Sequence, residues 1–214
     1  MSDSDPRCRL YLITPPKLDP ARFADTLKAA LDGGDVASLQ LRLKDVDEVA
    51  VRSAIDALKA VAQSRGVAFI LNDNPALAAE TGCDGVHVGK EDPSVADARR
   101  IVGPDAIVGA SAYDSPHRAM EAGEEGADYV AFGAFFPTTT KVAEGHPEPE
   151  ILEWWSELFV VPCVAIGGIK VENCGALVKA GADFLAVSSG VWDHPDGPAA
   201  AVRAFNRAIS EAGA

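Results

Sequence analysis

Three polar side chains alternate along one short segment of the 214-residue chain, where Gln40, Arg42 and Lys44 are separated by Leu41 and Leu43. In an extended strand, alternate side chains point to the same side, so these three groups share one face. If that face is the interior of the fold, the two cations need an anionic partner, and a polyanionic ligand would supply it. In the opposite register the leucines face the core and the polar groups face solvent. The sequence alone leaves both registers open.

Two aspartates, Asp73 and Asp92, follow consecutive predicted strands, which places them at neighbouring positions in a sheet. Two carboxylates that converge repel each other unless a cation lies between them. A small set of oxygen ligands suits Mg²⁺, which keeps several waters and shares its ligands with substrate phosphates. Each aspartate also has a structural interpretation, as the N-cap of the helix that begins at Pro75 or of the helix after Pro93.

Groups that can bind phosphate follow three further strands. The segment Thr138–Lys141 supplies three hydroxyls and an ammonium group. Gly167-Gly168 and Ser188-Ser189-Gly190 follow the last two strands, where phosphate-binding barrels present backbone N–H groups and a helix N-terminus. Glycine at such positions lets a ligand approach the backbone closely. The pattern predicts a phosphate site at this end of the sheet.

One histidine, His87, lies in the fourth predicted strand and alternates onto its inward face. It could serve as an acid–base group, although a lone histidine in a strand is more often a hydrogen-bonded structural residue. Trp154 and Trp155 precede the seventh strand, and we expect them to pack inside the protein or to form an exposed oligomer contact.

Short apolar segments alternate with helical patterns along the chain. The predicted strands are Arg9–Thr14, Ala37–Arg42, Ala68–Asn72, Gly85–Val88, Ala106–Ala110, Tyr129–Phe135, Cys163–Ile169 and Phe184–Val191. The predicted helices are Pro20–Leu31, Val46–Ser64, Pro75–Thr81, Val95–Val102, Ser115–Gly126, Pro149–Leu158, Val171–Ala180 and Pro198–Glu211. Apolar strands separated by helices indicate a parallel sheet covered on its outer face.

Eight such units predict an α/β fold, a single-domain (β/α)₈ TIM barrel over residues 1–214, in which residues 1–7 form a disordered N-terminal tail. In such a barrel the reacting groups come from the C-terminal ends of the strands. An open doubly wound sheet is the alternative, and the lack of a GxGxxG turn at the first helix disfavours it.

A repeated Gly-x-Asp pattern begins at Gly82, Gly126 and Gly181, in each case just before a predicted strand. We interpret the glycine as the left-handed end of a helix and the aspartate as part of the loop that leads into the strand. These aspartates belong to the stability face of the barrel, and we assign them no catalytic role.

The composition excludes several classes of function. With 19 Lys and Arg against 32 Asp and Glu, the net charge is −13, which disfavours nucleic acids and anionic membranes as partners. No segment has the pattern of a signal peptide or a membrane span. The four cysteines lack metal-binding spacing and are expected to pack as small hydrophobic residues in a reducing compartment. We therefore expect a cytoplasmic protein.

The same residues carry a resemblance that covers nearly the whole chain. The sequence resembles thiamine-phosphate synthase, the pyrophosphorylase that joins the pyrimidine and thiazole halves of thiamine. The matching motifs are Tyr11-Leu-Ile-Thr-Pro15, Gln40-Leu-Arg-Leu-Lys44, Asn72-Asp73, Gly85-Val-His-Val-Gly-Lys-Glu-Asp92, Gly109-Ala-Ser111, Pro137-Thr-Thr-Thr-Lys141, Ile166-Gly-Gly-Ile169 and Val187-Ser-Ser189.

The resemblance implies the ligands of three subsites. Hydroxymethylpyrimidine diphosphate would be bound by Gln40, Arg42, Lys44, Asn72, Ser111 and Lys141. Thiazole phosphate would be bound by Thr138, Thr140, Gly168, Ser188 and Ser189. Mg²⁺ would be held by Asp73 and Asp92. The family reaction is dissociative: diphosphate leaves first, and the thiazole nitrogen attacks the pyrimidine-stabilised cation. Catalytic roles are implied for Arg42, Ser111 and Lys141.

The chain departs from the family pattern at two positions. Lys90 stands where the family usually has Gln, and it adds a cation beside Asp92. Tyr113 stands where many members carry His, and a related thiazole tautomerase uses a histidine in that region. Tyr113 therefore disfavours tautomerase activity, while the complete Thr138–Lys141 motif favours the synthase. The alternatives are a diverged paralogue acting as a thiazole tautomerase, a phosphosugar lyase with a Schiff-base lysine, and a non-catalytic binder of thiamine precursors.

Overall fold

Eight parallel strands close into one barrel in the computed structural model, which describes residues 8–138 and 145–213. The strands are β1 (Arg9–Ile13), β2 (Ser38–Leu41), β3 (Ala68–Asn72), β4 (Gly85–Val88), β5 (Ile107–Tyr113), β6 (Tyr129–Phe132), β7 (Cys163–Ile166) and β8 (Phe184–Val187). Each strand pairs with the next in sequence, and β1 pairs with β8. The predicted (β/α)₈ barrel is confirmed. The predicted tail at residues 1–7 lies outside the described residues.

Helices follow the strands and cover the outside of the barrel. They are α1 (Pro20–Leu31), α2 (Glu48–Gln63), α3 (Pro75–Thr81), α4 (Val95–Val102), α5 (Pro116–Glu124), α6 (Glu150–Leu158), α7 (Cys174–Lys179), α8 (Ser189–Trp192) and α9 (Pro198–Gly213). Five of them begin at a residue whose side chain accepts a hydrogen bond from the backbone N–H three positions further on. These N-caps are Asp19, Asp47, Asn74, Ser94 and Ser115.

The short helix α8 corrects the sequence prediction, which extended the last strand to Val191. The strand ends at Val187, because the carbonyl of Ser188 accepts hydrogen bonds from the N–H groups of Val191 and Trp192 and so begins a helical turn. Val191 is buried in this turn as it would be in a strand, so the apolar pattern does not distinguish the two.

Other strand ends also differ from the prediction. Gly167 and Gly168 have positive φ angles, so β7 ends at Ile166 and not at Ile169. In contrast, β5 continues through Ser111 to Tyr113, with a shift in register against β6 between these two residues.

Alternate residues of each strand face two separate apolar layers. One layer packs between the sheet and the helices and includes Leu10, Leu12, Leu39 and Leu41. The other fills the inside of the barrel and is made by Tyr11, Ile13, Tyr129, Ala131, Val164 and Ala186. Leu39 and Leu41 therefore point outward, which turns the alternate residues of β2 toward the interior.

The Gly-x-Asp repeat is structural, as the sequence analysis predicts. Gly82, Gly126 and Gly181 all have positive φ angles at the ends of helices. The aspartate two residues after each glycine accepts a hydrogen bond from a backbone N–H at or beside the start of the preceding strand: Asp84 from Phe69, Asp128 from Val108 and Asp183 from Cys163. These bonds lie at the N-terminal end of the barrel, opposite the predicted site. None of the helices within the described ranges has the length and apolar character needed to cross a membrane.

Candidate active site

A cavity of about 230 Å³ opens at the C-terminal end of the barrel. Seven predicted site residues line it: Gln40, Arg42, Lys44, Asn72, Asp73, Asp92 and Ser111. They come from the ends of β2, β3 and β5 and from the loops after β2, β3 and β4. Residues distant in sequence thus meet because parallel strands present their C-terminal ends at one face.

The inward register of β2 is the one observed. Gln40 is buried, Arg42 is half-buried and Lys44 is exposed. All three line the cavity, in this order from its floor to its rim. The Arg42 backbone N–H donates to Thr14 Oγ1 at 3.0 Å, which fixes the end of β2 against β1. Burial lowers the pKa of Arg42, and the nearby charge of Asp73 opposes that shift. A guanidinium keeps its proton in a protein, so the cavity holds a fixed positive charge.

The capping interpretation of the two aspartates is wrong. Helix α3 is capped by Asn74 and helix α4 by Ser94. Asp92 turns back instead, and its Oδ2 accepts a hydrogen bond from the Gly89 N–H at 2.7 Å. The backbone of Asp73 has a φ angle of 69°, in the left-handed region, and its N–H donates to the His87 carbonyl at 2.8 Å. Both carboxyl groups are thereby directed into the cavity.

The electrostatics of this pair suit a cation. Withdrawal of its carboxyl group from water, followed by the charge of Asp92, raises the pKa of Asp73 to about 6, although the residue as a whole is exposed. The described residues contain no group of three or more His, Cys, Asp or Glu side chains that could enclose a metal. Two carboxylates beside an open cavity fit Mg²⁺, because this ion is commonly bound by one or two carboxylates plus substrate phosphates and waters.

A second group of predicted residues lies at the ends of β6, β7 and β8 and does not line this cavity. The backbones meet closely there, since a Cβ atom on Gly168 would lie 2.5 Å from the carbonyl oxygen of Pro137, next to Thr138. Ser188 Oγ donates to the Thr14 carbonyl at 3.4 Å, and Ser189 begins α8. Thr140 and Lys141 lie outside the described residues.

Comparison with known proteins identifies the family. The family model described as "Thiamine monophosphate synthase" matches residues 10–191. The thiamine-phosphate synthase of Rhodospirillum centenum is 65% identical over 202 residues, which cover 94% of this chain and 98% of the relative. That of Hyphomonas neptunium is 58% identical over 206 residues, covering 94% of this chain and 93% of the relative. The solved thiamine phosphate pyrophosphorylase of Pyrococcus furiosus superimposes with a TM-score of 0.83 at 32% identity, covering 96% of this chain and 97% of that chain.

The chain belongs to the thiamine-phosphate synthase family. The resemblance noted in the sequence is therefore confirmed over most of the chain. The matched region, residues 10–191, contains every residue for which the resemblance implies a ligand.

The floor of the cavity in this family member contains residues that the sequence analysis did not include in the site. Tyr11 and Tyr129 point into the barrel and are hydrogen-bonded to each other, and His87 is bonded to Tyr129 and Ser111. His87 is thus a hydrogen-bonded histidine in a strand, as its structural interpretation expects, and it also lines the cavity. A signal for the tyrosines was available, because a buried phenol in an apolar strand needs a partner for its hydroxyl.

The two departures from the family pattern lie side by side. Tyr113 Oη accepts a hydrogen bond from the Lys90 backbone N–H at 3.3 Å, and both residues line the cavity near Asp92. The guanidinium of Arg118 lies 5.3 Å from the centre of the Tyr113 ring, within the range of a cation–π contact. Tyr113 thus contributes to the shape of the loop that carries Asp92.

Proposed function

We propose that this family member joins hydroxymethylpyrimidine diphosphate to thiazole phosphate and releases thiamine phosphate and diphosphate. The observation that carries the proposal is the convergence of two cations, Arg42 and Lys44, with the carboxylate pair Asp73 and Asp92 at one cavity. Such a site suits a ligand with several negative charges and a metal ion. The names and identity of the relatives support the same reaction.

Arg42 and Lys44 would hold the diphosphate group. A leaving diphosphate gains negative charge as its bond to carbon breaks, so fixed cations stabilise the transition state more than the ground state. A pair of unit charges about 4 Å apart contributes about 4 kcal/mol at an effective dielectric near 20, before the cost of desolvation. Lys141, which the family resemblance assigns to the same group, would add a third cation.

Asp73 and Asp92 would hold Mg²⁺, with the diphosphate and water as the other ligands. When bound, the ion would supply charge neutralisation for the leaving group. The protein's own contribution is orientation: the Gly89 N–H holds one oxygen of Asp92, and the left-handed backbone of Asp73 turns its side chain toward the same space.

The pyrimidine ring would lie on the floor of the cavity between Gln40 and Ser111, with Asn72 beside it. Part of the wall there is apolar, since Ile13, Ala131 and Val164 line the same space. A cation formed when diphosphate leaves would react rapidly with water, so an apolar wall protects it until the thiazole nitrogen attacks. No nucleophilic side chain and no strong general base are required.

The thiazole phosphate would bind at the ends of β6, β7 and β8, through Thr138, Thr140, Gly168, Ser188 and Ser189. Gly167 and Gly168 are partly exposed, and α8 begins at Ser189. This position matches the usual phosphate site of TIM barrels, after strands 7 and 8.

The deciding experiment measures thiamine phosphate formed by the purified protein from both phosphorylated precursors, with Mg²⁺ and again with EDTA. Metal-dependent product is the expected result. Binding of both precursors without product would contradict the proposal and indicate a non-catalytic binder. An unchanged yield of product in EDTA would show that the reaction does not need Mg²⁺ and would refute the role of the two aspartates as its ligands.

A further inference from the structure

A continuous chain of hydrogen bonds crosses the inside of the barrel beneath the cavity. Gln40 Nε2 lies 2.9 Å from Tyr11 Oη, and Tyr11 Oη lies 2.7 Å from Tyr129 Oη. Tyr129 Oη lies 2.9 Å from His87 Nδ1, and His87 Nε2 lies 2.9 Å from Ser111 Oγ. The first four side chains are buried, and the two ends of the chain are the residues proposed to contact the pyrimidine ring.

The chain can donate in only one direction, because an amide nitrogen donates and does not accept. Tyr11 Oη accepts from Gln40, and its own buried proton needs an acceptor, which among its described neighbours is Tyr129 Oη. Tyr129 in turn accepts from Tyr11 and donates its own proton to His87. Burial raises the pKa of both phenols well above its ordinary value, so each keeps the one proton on which this argument depends.

The direction of donation determines the tautomer of the histidine. His87 Nδ1 accepts from Tyr129 and so carries no proton, which leaves a neutral imidazole with its proton on Nε2. That proton is donated to Ser111 Oγ. Since the Ser111 oxygen already accepts from His87, its own hydroxyl proton is left to point elsewhere, and Ser111 lines the cavity.

The barrel is shaped around this chain. A Cβ atom on Gly109 of β5 would collide with the ring of Tyr129, so the absence of a side chain there makes room for the phenol. The rings of Tyr11 and Tyr129 meet edge to face with centroids 5.7 Å apart, and the imidazole of His87 stacks on Tyr129 at 5.6 Å. These contacts hold the three rings in place before any ligand binds.

We propose that Tyr11, Tyr129 and His87 are positioning residues that orient the hydrogen bonds of Gln40 and Ser111 for the synthase reaction. With Gln40 Nε2 engaged by Tyr11, its Oε1 is available as an acceptor, and Ser111 presents its hydroxyl as a donor. An aminopyrimidine has the complementary groups, an exocyclic amine that donates and a ring nitrogen that accepts. The inference rests on the proposed function for the identity of this ring.

The test reads the histidine tautomer directly, by long-range ¹H–¹⁵N NMR of the full-length protein without substrate. The His87 signal is identified among the four histidines by its loss in His87→Gln. We expect a neutral imidazole protonated at Nε2. A dominant Nδ1-protonated form would overturn the proposal, because His87 would then donate to Tyr129 Oη instead of accepting from it.

Tyr129→Phe keeps the ring and removes two bonds of the chain. We expect His87 to lose its preference for the Nε2 tautomer and kcat/KM for the pyrimidine diphosphate to fall roughly 10- to 100-fold. The KM for thiazole phosphate should be unchanged. If the variant does not fold, Tyr11→Phe breaks the chain one residue earlier. The matched control is Tyr113→Phe, which removes a cavity phenol outside the chain and should leave the His87 signal unaltered.

The two proposals fail in different ways. Product formation together with an Nδ1-protonated His87 would overturn the chain direction and leave the synthase intact. An Nε2-protonated His87 in a protein that makes no product would refute the synthase and retain the chain. A Tyr129→Phe variant with the wild-type kcat/KM would show that the chain has no positioning role.

Discussion

The hydroxyl of Tyr113 at the end of β5 accepts a hydrogen bond from the backbone N–H of Lys90, and so joins β5 to the loop that carries Asp92. This contact uses a residue by which the chain differs from many members of its family.

Replacement of Tyr113 by Phe should therefore weaken metal binding and leave chemistry intact. The ring and its contact with Arg118 remain, and the bond from the Lys90 N–H is lost. We expect the Mg²⁺ concentration for half-maximal rate to rise about 3- to 10-fold, with kcat at saturating Mg²⁺ unchanged. Initial rates over a Mg²⁺ series provide the measurement, and an unchanged half-saturation would show that the bond does not orient Asp92.

Substitution of Asp92 by Asn should raise the Mg²⁺ concentration for half-maximal rate more than Tyr113→Phe does. The amide oxygen can still accept from the Gly89 N–H, but the negative charge is lost. We expect the Mg²⁺ requirement to rise about 10-fold or more, since a charged ligand to the ion is removed. Glu91→Gln is the matched control, because it removes a charge from the same loop and the same cavity. An equal rise in the Mg²⁺ requirement of the two variants would mean that the effect comes from the lost charge and not from the loss of a metal ligand.

The cost of holding the Asp73 carboxylate away from water and next to Asp92 should appear in the stability of the metal-free protein. Because the pKa of Asp73 is raised to about 6 from 3.8, the folded state binds more protons than the unfolded state between these pH values. Stability therefore falls as the pH rises from about 4 to 6 and stays lower above it. Asp73→Asn removes this penalty.

We expect Asp73→Asn to raise the free energy of unfolding in EDTA at pH 7.5 by about 1 kcal/mol, after allowance for solvent screening at this partly exposed group. Asparagine also tolerates the left-handed backbone at this position. Urea unfolding at pH 7.5 and pH 4.5 tests the prediction. The gain in the free energy of unfolding should be smaller at pH 4.5. A gain that is the same at both pH values would mean that it comes from the backbone conformation and not from the charge.

Gly168→Ala should affect one substrate and not the other. Its φ angle is 62°, and a Cβ atom would press on the carbonyl oxygen of Pro137 at 2.5 Å, so the loops around the proposed thiazole phosphate site must shift. We expect a higher KM for thiazole phosphate and an unchanged KM for the pyrimidine diphosphate. Gly126→Ala is the control: its φ angle is also positive, at 94°, but its Cβ would have no heavy atom within 4 Å.

Both glycine variants should lose about 1–2 kcal/mol of stability, because an L-residue is strained in the left-handed region. Only Gly168→Ala adds a steric clash. Separate titrations of the two substrates distinguish the variants. A similar rise in both KM values for Gly168→Ala would mean a general loosening of the active-site face.

The thiols should be unreactive in the native protein. Burial raises the pKa of Cys8 and of Cys163 to about 12, and Cys174 is fully buried as well. At pH 8 only about one thiol in 10⁴ with such a pKa is ionised, and the thiolate is the reactive form. Titration with a disulfide reagent should detect these three cysteines only after unfolding, with Cys83 reacting slowly because it is half-buried. Rapid native reaction of three or four thiols would contradict the buried packing.

The course of the chain was predictable because hydrophobic periodicity and cap residues are local signals. The bounds of β3 and α3 in the structure are those predicted from the sequence. The end of β8 was not predictable in this way, since Val191 is buried both in a strand and in the turn of α8. Periodicity records which residues are buried and not which backbone angles bury them.

The site was predictable where strand ends determine it. Gln40, Asn72 and Ser111 come together because parallel strands end at one face. The partners of the Tyr129 hydroxyl were not predictable, because Tyr11 and His87 lie on strands that meet Tyr129 only across the barrel interior. The register of Arg42 and Lys44 also required the structure, since either face of β2 satisfied the sequence.

The closure of the sheet has a consequence for how this protein can associate with others. Each of the eight strands in the described ranges is bonded to a neighbour on both sides, including β1 with β8. Proteins that dock a partner by adding a strand need a free sheet edge, and so does edge-to-edge aggregation. The barrel offers neither route through these strands. Trp155 is buried and packs on Phe132 and Phe159, so it lies inside the protein and is not an exposed oligomer contact. If the protein forms a homo-oligomer, its subunits must meet through the side chains of helices and loops.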